Sequence, residues 1–175
     1  PNAGKSTLLN NILDKKVSII SPKAQTTRKA IRGIYSKDRD QIVFIDTPGL
    51  LKPKSFLNKS MSRSINNSII QSNINLIVQD VRLEINEQQK KLLRTLISSN
   101  KKNFLVLNKI DLIKKNQLFE ITKKLNHFYT FNEVFFISAL RKKGFEDLIK
   151  KIRNNIPYGH WIYEKEIFTD QKIES

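Results

Sequence analysis

An α/β domain, in which a mostly parallel sheet carries helices on both faces, is the fold that this 175-residue chain predicts. Two observations carry the prediction. The apolar runs at residues 41–45, 75–79, 104–107 and 134–137 are nearly continuous, as strands buried on both faces must be. Segments with helical apolar spacing separate them, and that alternation builds a parallel sheet from crossover units.

Taken in order, a first helix is expected at residues 5–13, after a turn at Gly4. Residues 30–35 make an edge strand, because Ile31, Gly33 and Tyr35 alternate only loosely with Arg32 and Ile34. Helices follow near residues 57–72, 86–99 and 117–128, each between two of the apolar runs. Leu92, Leu93, Leu96 and Ile97 show the helical period, and Leu148, Ile149 and Ile152 repeat it in a last helix at 144–155. Pro157 closes that helix. The Ile156-Pro157-Tyr158-Gly159 stretch is the expected boundary between a main unit at 1–157 and a bridge at 158–175.

Composition narrows the class. A chain of this length builds one hydrophobic core. With no Cys it has neither a disulfide framework nor a thiolate metal site, which fits a reducing compartment. No apolar run approaches the roughly 18 residues that cross a bilayer. The net charge is +16, from 32 Lys+Arg against 16 Asp+Glu, and so large an excess attracts polyanions such as nucleic acid, acidic headgroups and nucleotides. Of the 32 basic residues 24 are Lys, and Lys, Ile and Asn all have AT-rich codons, so genomic composition accounts for part of the excess.

Four short strings, in fixed order, specify the chemistry: Gly4-Lys5-Ser6, Asp46-Thr47-Pro48-Gly49, Asn108-Lys109-Ile110-Asp111 and Ser138-Ala139-Leu140. The first belongs to the phosphate-loop pattern Gly-x-x-x-x-Gly-Lys-Ser/Thr. Residues 1–6 supply all of it but the first Gly and the residue after it. Backbone N–H groups at Asn2, Ala3 and Gly4 would line a concave anion site at a helix start. Lys5 would bridge the β- and γ-phosphates, Ser6 would offer its hydroxyl to Mg²⁺, and the Thr7 N–H would face the α-phosphate. In the second string, Asp46 reads as a magnesium-shell carboxylate acting through a water, and the Gly49 N–H as a γ-phosphate sensor. Residues 50–60 would then be a switch segment. A second magnesium hydroxyl comes from Thr26 or Thr27, with Thr27 preferred. Lys5, Thr27 and Gly49 are the catalytic candidates.

The third string selects the base. Asp111 accepts from both N1–H and the exocyclic amine of guanine; adenine lacks that donor pair, and a site built around such contacts rejects it by roughly 10⁴. Asn108 is expected to contact the base and brace the loops, while the Lys109 stem lies along the base face with its charge in water. Ser138, Ala139 and Leu140 complete the base loop, where the Ala139 N–H reaches guanine O6. Together the strings make this a P-loop G domain that binds GTP. Leu50 stands where related switch GTPases carry a water-orienting Gln, so slow intrinsic hydrolysis is expected. His127, His160 and Trp161 fall in no such pattern, and Asp80, at a strand end, reads as a solvated cap.

Pro-Asn-x-Gly-Lys-Ser-Thr-Leu-Leu-Asn at residues 1–10, with Asp-Thr-Pro-Gly-Leu at 46–50, resembles the TrmE–Era–EngA group of GTPases. Ser21-Pro22-Lys23-Ala24-Gln25-Thr26-Thr27-Arg28, the string at 45–54 and the tail at 163–170 narrow the resemblance to the Era family. It implies a GTP hydrolase that acts as a switch in small ribosomal subunit assembly, with Mg²⁺ as cofactor. It further implies a monomer that binds 16S rRNA through a C-terminal KH domain and is cytoplasmic, with peripheral association at the inner membrane. In the resembling group the Asn at the position of Asn2 can ligate K⁺ against the phosphates; the alternative is that Asn2 only turns the loop. A KH domain needs a Gly-x-x-Gly loop. Gly4, Gly33, Gly49, Gly144 and Gly159 include no such pair, so that domain is expected outside this sequence.

Two rivals stand beside this reading. One is a TrmE- or EngA-type GTPase of tRNA modification or large-subunit assembly, which should lack the string at 23–28. The other is a non-hydrolysing, GTP-gated scaffold, which single-turnover hydrolysis separates from an enzyme. The chain opens inside the phosphate loop, so the first central strand of the sheet is expected to be missing from the fragment. That strand belongs between those ending near Asp46 and Gln79, and residues 1–175 alone are expected to be unstable without it.

Overall fold

A computed structural model describes residues 3–14, 17–18, 31–45 and 69–163. Within them, helix α1 (Lys5–Asp14) is followed by strands β1 (Val17–Ser18), β2 (Ile31–Lys37), β3 (Asp40–Ile45) and β4 (Ile74–Asp80). Then come α2 (Glu87–Ile97), β5 (Lys102–Asn108), a 3₁₀ turn (Ile110–Leu112), α3 (Lys115–Phe128), β6 (Glu133–Ile137) and α4 (Phe145–Arg153). The expected elements are all present within the described residues, except that the helix near 57–72 falls mostly outside them. Strand β1 was not foreseen; two residues carry no periodicity.

The strands form two three-stranded sheets. The order β4-β5-β6 is parallel, with Asp80 level with Asn108 and Asn108 level with Ile137. The order β1-β2-β3 is antiparallel, so only half of the described sheet matches the parallel expectation. The reason is the Asp38-Arg39 turn between β2 and β3, where Asp38 adopts φ 56°. Two residues close a hairpin and are far too few for the crossover that a parallel pair needs. Strands β3 and β4 are not hydrogen-bonded to each other. Residues of both line a cleft of about 1770 Å³, Val43 and Phe44 from one and Leu76 and Val78 from the other, and Gly4, Lys5 and Ser6 line it too. No strand precedes α1 among the described residues.

Packing assigns the helices to faces. Phe104 and Val106 of β5 point into a core with Leu8 and Ile12 of α1 and Leu148 and Ile152 of α4. Leu105 and Leu107 point the other way, against Leu125 of α3 and Val81. The strict alternation of β5 thus puts helices on both faces. Tyr35 of β2 and Ile42 of β3 join the first core, so the two sheets share it although their backbones do not pair. Gly33 sits where α1 crosses β2, and a Cβ there would press on the end of the Leu13 side chain.

Caps and polar ties set the ends. Asn86 starts α2 by accepting from the Gln89 N–H at 2.9 Å, and the Gln89 side chain accepts from the Asn86 N–H at 2.8 Å. Helix α3 begins two residues before its expected start at Gln117, because the Gln117 side chain accepts from the Lys114 N–H at 2.9 Å and caps the first turn. At the N-terminal ends of the parallel strands, Asn75 Nδ2 donates to Asn103 Oδ1 at 2.9 Å, and the Asn103 N–H donates to Asn132 Oδ1 at 2.7 Å. After α4, residues 158–163 return to the β2–β3 turn, where Trp161 Nε1 donates to Arg39 O at 2.7 Å and Gln41 Nε2 donates to Tyr163 O at 2.9 Å.

Leu148 is fully buried between the α1–α4 face and the sheet. Leu148→Ala is expected to cost about 3 kcal/mol, the lost transfer energy plus a residual cavity. Urea unfolding at neutral pH checks this; a cost below about 1 kcal/mol would mean that the site collapses around the smaller side chain.

Candidate nucleotide-binding site

The parallel register brings the carboxyl ends of β4, β5 and β6 to one edge, where open α/β sheets bind their ligands. Asn108 ends β5 there and is fully buried. Its Nδ2 donates to Ala3 O at 2.7 Å, in the phosphate loop. Its Oδ1 accepts from the Lys109 N–H at 2.8 Å and from the Ala139 N–H at 3.0 Å. One amide therefore joins the phosphate loop to the base loop. Asn11 of α1 adds a fourth tie, donating from Nδ2 to Ala139 O at 2.5 Å. It was missed by sequence reasoning, since an Asn inside a helix carries no signal.

The phosphate loop is shaped against this amide. Gly4 adopts φ +84°, a left-handed conformation that favours Gly, and a Cβ there would stand 2.3 Å from Asn108 Nδ2. The loop then feeds straight into α1, whose first turn holds Lys5, Ser6 and Thr7. Ala3, Gly4, Lys5, Ser6 and Thr7 are thus together at a helix N-terminus, as an anion site requires. Asn2, Thr27, Asp46 and Gly49 lie outside the described residues. No cluster of three or more His, Cys, Asp or Glu that could hold a metal exists among the described residues.

At the base end, Asp111 sits in the 3₁₀ turn after β5. Ser138, itself buried, donates from Oγ to Asp111 Oδ1 at 2.5 Å. Arg141 Nε stands 3.6 Å from Asp111 Oδ2. The Ser138 hydroxyl, followed by Arg141, holds the Asp111 carboxyl below its ordinary range against the opposing effect of burial. Ser138 also accepts from the Arg141 N–H at 3.2 Å, so the base loop folds around it. The Ala139 N–H, expected at guanine O6, donates to Asn108 Oδ1 here. Leu140 is 80 % exposed.

Two expectations are corrected at the neighbouring strand end. Asp80 is not a solvated cap: it is 1 % exposed. Arg82 donates to it from Nε at 3.1 Å, from Nη2 at 2.8 Å and from its backbone N–H at 3.0 Å. The Lys109 charge does not stand in water either; its Nζ lies 2.7 Å from Asp80 Oδ2. The cause is register, which places Asp80 level with Asn108, within a lysine's reach of the next residue. An Asp ending an apolar strand, one strand over from Asn-Lys-x-Asp, was the available signal. The Arg82 fork, with Lys109, holds the Asp80 carboxyl well below the usual carboxylate range despite burial.

The 50S ribosome-binding GTPase family matches residues 1–109. GTPase Era of Borreliella burgdorferi is 41% identical over 174 residues, 99% of this chain and 60% of the relative. GTPase Era of Brucella suis biovar 1 is 38% identical over 170 residues, 97% of this chain and 55% of the relative. The chain spans between half and two thirds of the length of these relatives. Among solved structures, the cytosolic domain of the T. maritima FeoB iron transporter in its GMPPNP form is similar with TM-score 0.60 and 26% identity, over 94% of this chain and 65% of that one. The bacterial selenocysteine-specific elongation factor EF-Sec is similar with TM-score 0.62 and 21% identity, over 88% of this chain and 27% of that one, a likeness of fold.

Asp80's depressed native pKa makes its stabilisation present above the unfolded carboxylate value, about 3.9, and lost as pH falls through the lower native value. Asp80→Asn is therefore expected to cost on the order of 2 kcal/mol near neutral pH. That difference should shrink below about pH 4. Denaturant unfolding of both proteins across the acid range checks it, and a pH-independent difference would contradict the ion-pair account.

Proposed function

The chain belongs to the 50S ribosome-binding GTPase family, and from that premise we propose that it is the nucleotide-binding domain of an Era-type GTPase. It binds GTP and GDP and hydrolyses GTP slowly, as a switch in small ribosomal subunit assembly. The observation that carries this reading is the buried Asn108 amide, which joins Ala3 to Ala139 and so fixes the phosphate loop relative to the base loop. Asp111 stands at the base end of that frame, its carboxylate ordered by Ser138. A guanine entering there offers N1–H and an amine to Asp111, displacing the Arg141 contact at 3.6 Å, which is too long to be a strong bond.

Mg²⁺ would be held by Ser6 together with Thr27 and Asp46. Ser6 fits that role, since it stands in the first turn of α1, just past the Gly4 turn. When bound, the ion supplies positive charge against the β- and γ-phosphates. Lys5, from the same first turn, supplies a second cation, and the α1 N-terminus contributes its N–H groups. Asn2 is the residue we assign to K⁺. The longer Era relatives motivate the remainder: 16S rRNA contact through a KH domain beyond this sequence, a cytoplasmic monomer, and peripheral contact with the inner membrane. The net charge of +16 favours polyanionic partners of this kind.

Base choice tests the reading. Asp111→Asn should weaken GTP binding and favour xanthine nucleotides, whose 2-oxo group suits an amide donor, by about ten-fold or more in the GTP/XTP ratio. Competition binding against a fluorescent GDP analogue measures it, and an unchanged ratio would remove Asp111 from base recognition. Hydrolysis gives an independent check in the full-length protein. Turnover should be faster in K⁺ than in Na⁺, and Asn2→Ala should abolish that difference while Leu50→Ala is tolerated. Equal wild-type rates in the two salts would exclude Asn2 from the mechanism.

A further inference from the structure

Asp80 lies outside all four strings, yet among the described residues it is the most heavily bonded carboxylate beside the site. Its carboxylate takes the Arg82 fork and backbone N–H on one side and the Lys109 ammonium on the other. Arg82 is half-exposed and balances the buried charge from the solvent side, so Asp80 remains fixed whether or not Lys109 leaves it. Lys109 is held at both ends. Its backbone, at φ 67°, is pinned by the N–H bond to Asn108 Oδ1, and its ammonium is pinned by Asp80. Between those two fixed points the lysine stem offers an apolar run of about four methylenes. It lies in the string whose next-but-one residue is Asp111.

We propose that Asp80 is a positioning residue for the nucleotide: by holding the Lys109 ammonium, it presents the lysine stem as a preordered platform for one face of the base. The proposal rests on the guanine-nucleotide reading above. Lysine loses more rotamer freedom than most side chains when it is ordered. Asp80 takes that loss within the unliganded fold, so the arriving base meets a stem already in place. The register of β4 against β5 fixes the distance, since Asp80 and Asn108 are directly paired. Asp111 would read the edge of the base, whereas the Asp80–Lys109 pair would support its face and be indifferent to the groups on that edge.

The test is a double-mutant cycle in the full-length protein, read by stopped-flow release of a fluorescent GDP analogue. Asp80→Asn and Lys109→Met are each expected to speed release by about ten-fold, and the double variant by no more than either alone, because both remove the same anchor. Methionine keeps an apolar stem of similar length without the ammonium, so a structural role of Asp80 toward Arg82 would survive in the Lys109→Met background. Release of the IDP analogue, which lacks the exocyclic amine, should accelerate by the same factor as release of the GDP analogue. Multiplicative effects in the double variant would overturn the proposal, as would wild-type release from Lys109→Met. Should Asp80→Asn lack a cooperative melt, Asp80→Ser takes its place in the cycle on the same criterion. A wild-type protein that binds no guanine nucleotide would overturn the reading beneath the proposal, an outcome distinct from additivity in the cycle.

Discussion

The Asn108 side chain is the constraint on which the site depends. It is fully buried at the end of the central parallel strand, where an amide must satisfy its donors and acceptor or impose a large desolvation cost. It does so with Ala3 O, 105 residues away, the neighbouring Lys109 N–H and the Ala139 N–H, 31 residues away. Those three partners are backbone atoms of loops, and loops have no ladder of their own to hold them. One buried amide thus does for the phosphate and base loops what strand pairing does for the sheet. The Gly4 requirement follows from it, since the amide fills the space a Cβ would take.

Strand β5 makes that position possible. Its residues alternate between the core against α1 and α4 and the core against α3, so it is fixed from both faces. Pairing with β4 and β6 then fixes its length and end point, which delivers Asp80, Asn108 and Ile137 to one edge. The antiparallel hairpin β2–β3 is joined to this half through shared side chains rather than backbone bonds. Arg153 at the end of α4 pairs with Asp40 and, at 2.8 Å, with Asp38 at the hairpin turn, which adds a second tie between the halves.

At the two described site carboxylates, Asp80 and Asp111, charge is compensated locally. Asp80 receives Arg82 and Lys109, and Asp111 receives the Ser138 hydroxyl and Arg141. Both carboxylates are therefore held in the ionised form, which is the form that can accept from a base edge or from an ammonium. The arrangement leaves the phosphate end, with Lys5 and the α1 N-terminus, free of any described acidic residue in its first turn.

The sequence by itself determined the order of strands and helices and the residues of the phosphate and base strings. Both are local properties: burial on two faces writes continuous apolar runs, and recognition of phosphate or guanine needs particular groups at short fixed spacings. Helix starts were legible where a side chain capped its own backbone, as at Asn86, and misplaced by two residues where Gln117 did so from inside the helix. The sequence did not reveal that half of the described sheet is antiparallel, because pairing direction depends on whether Asp38-Arg39 closes as a hairpin. Nor did it reveal that Asp80 is buried against Lys109 or that the Ala139 N–H turns toward Asn108. Those facts belong to register and to loops meeting across the sheet edge. Only the tertiary structure decides them, because the partners are 29 and 31 residues apart and no spacing rule joins them.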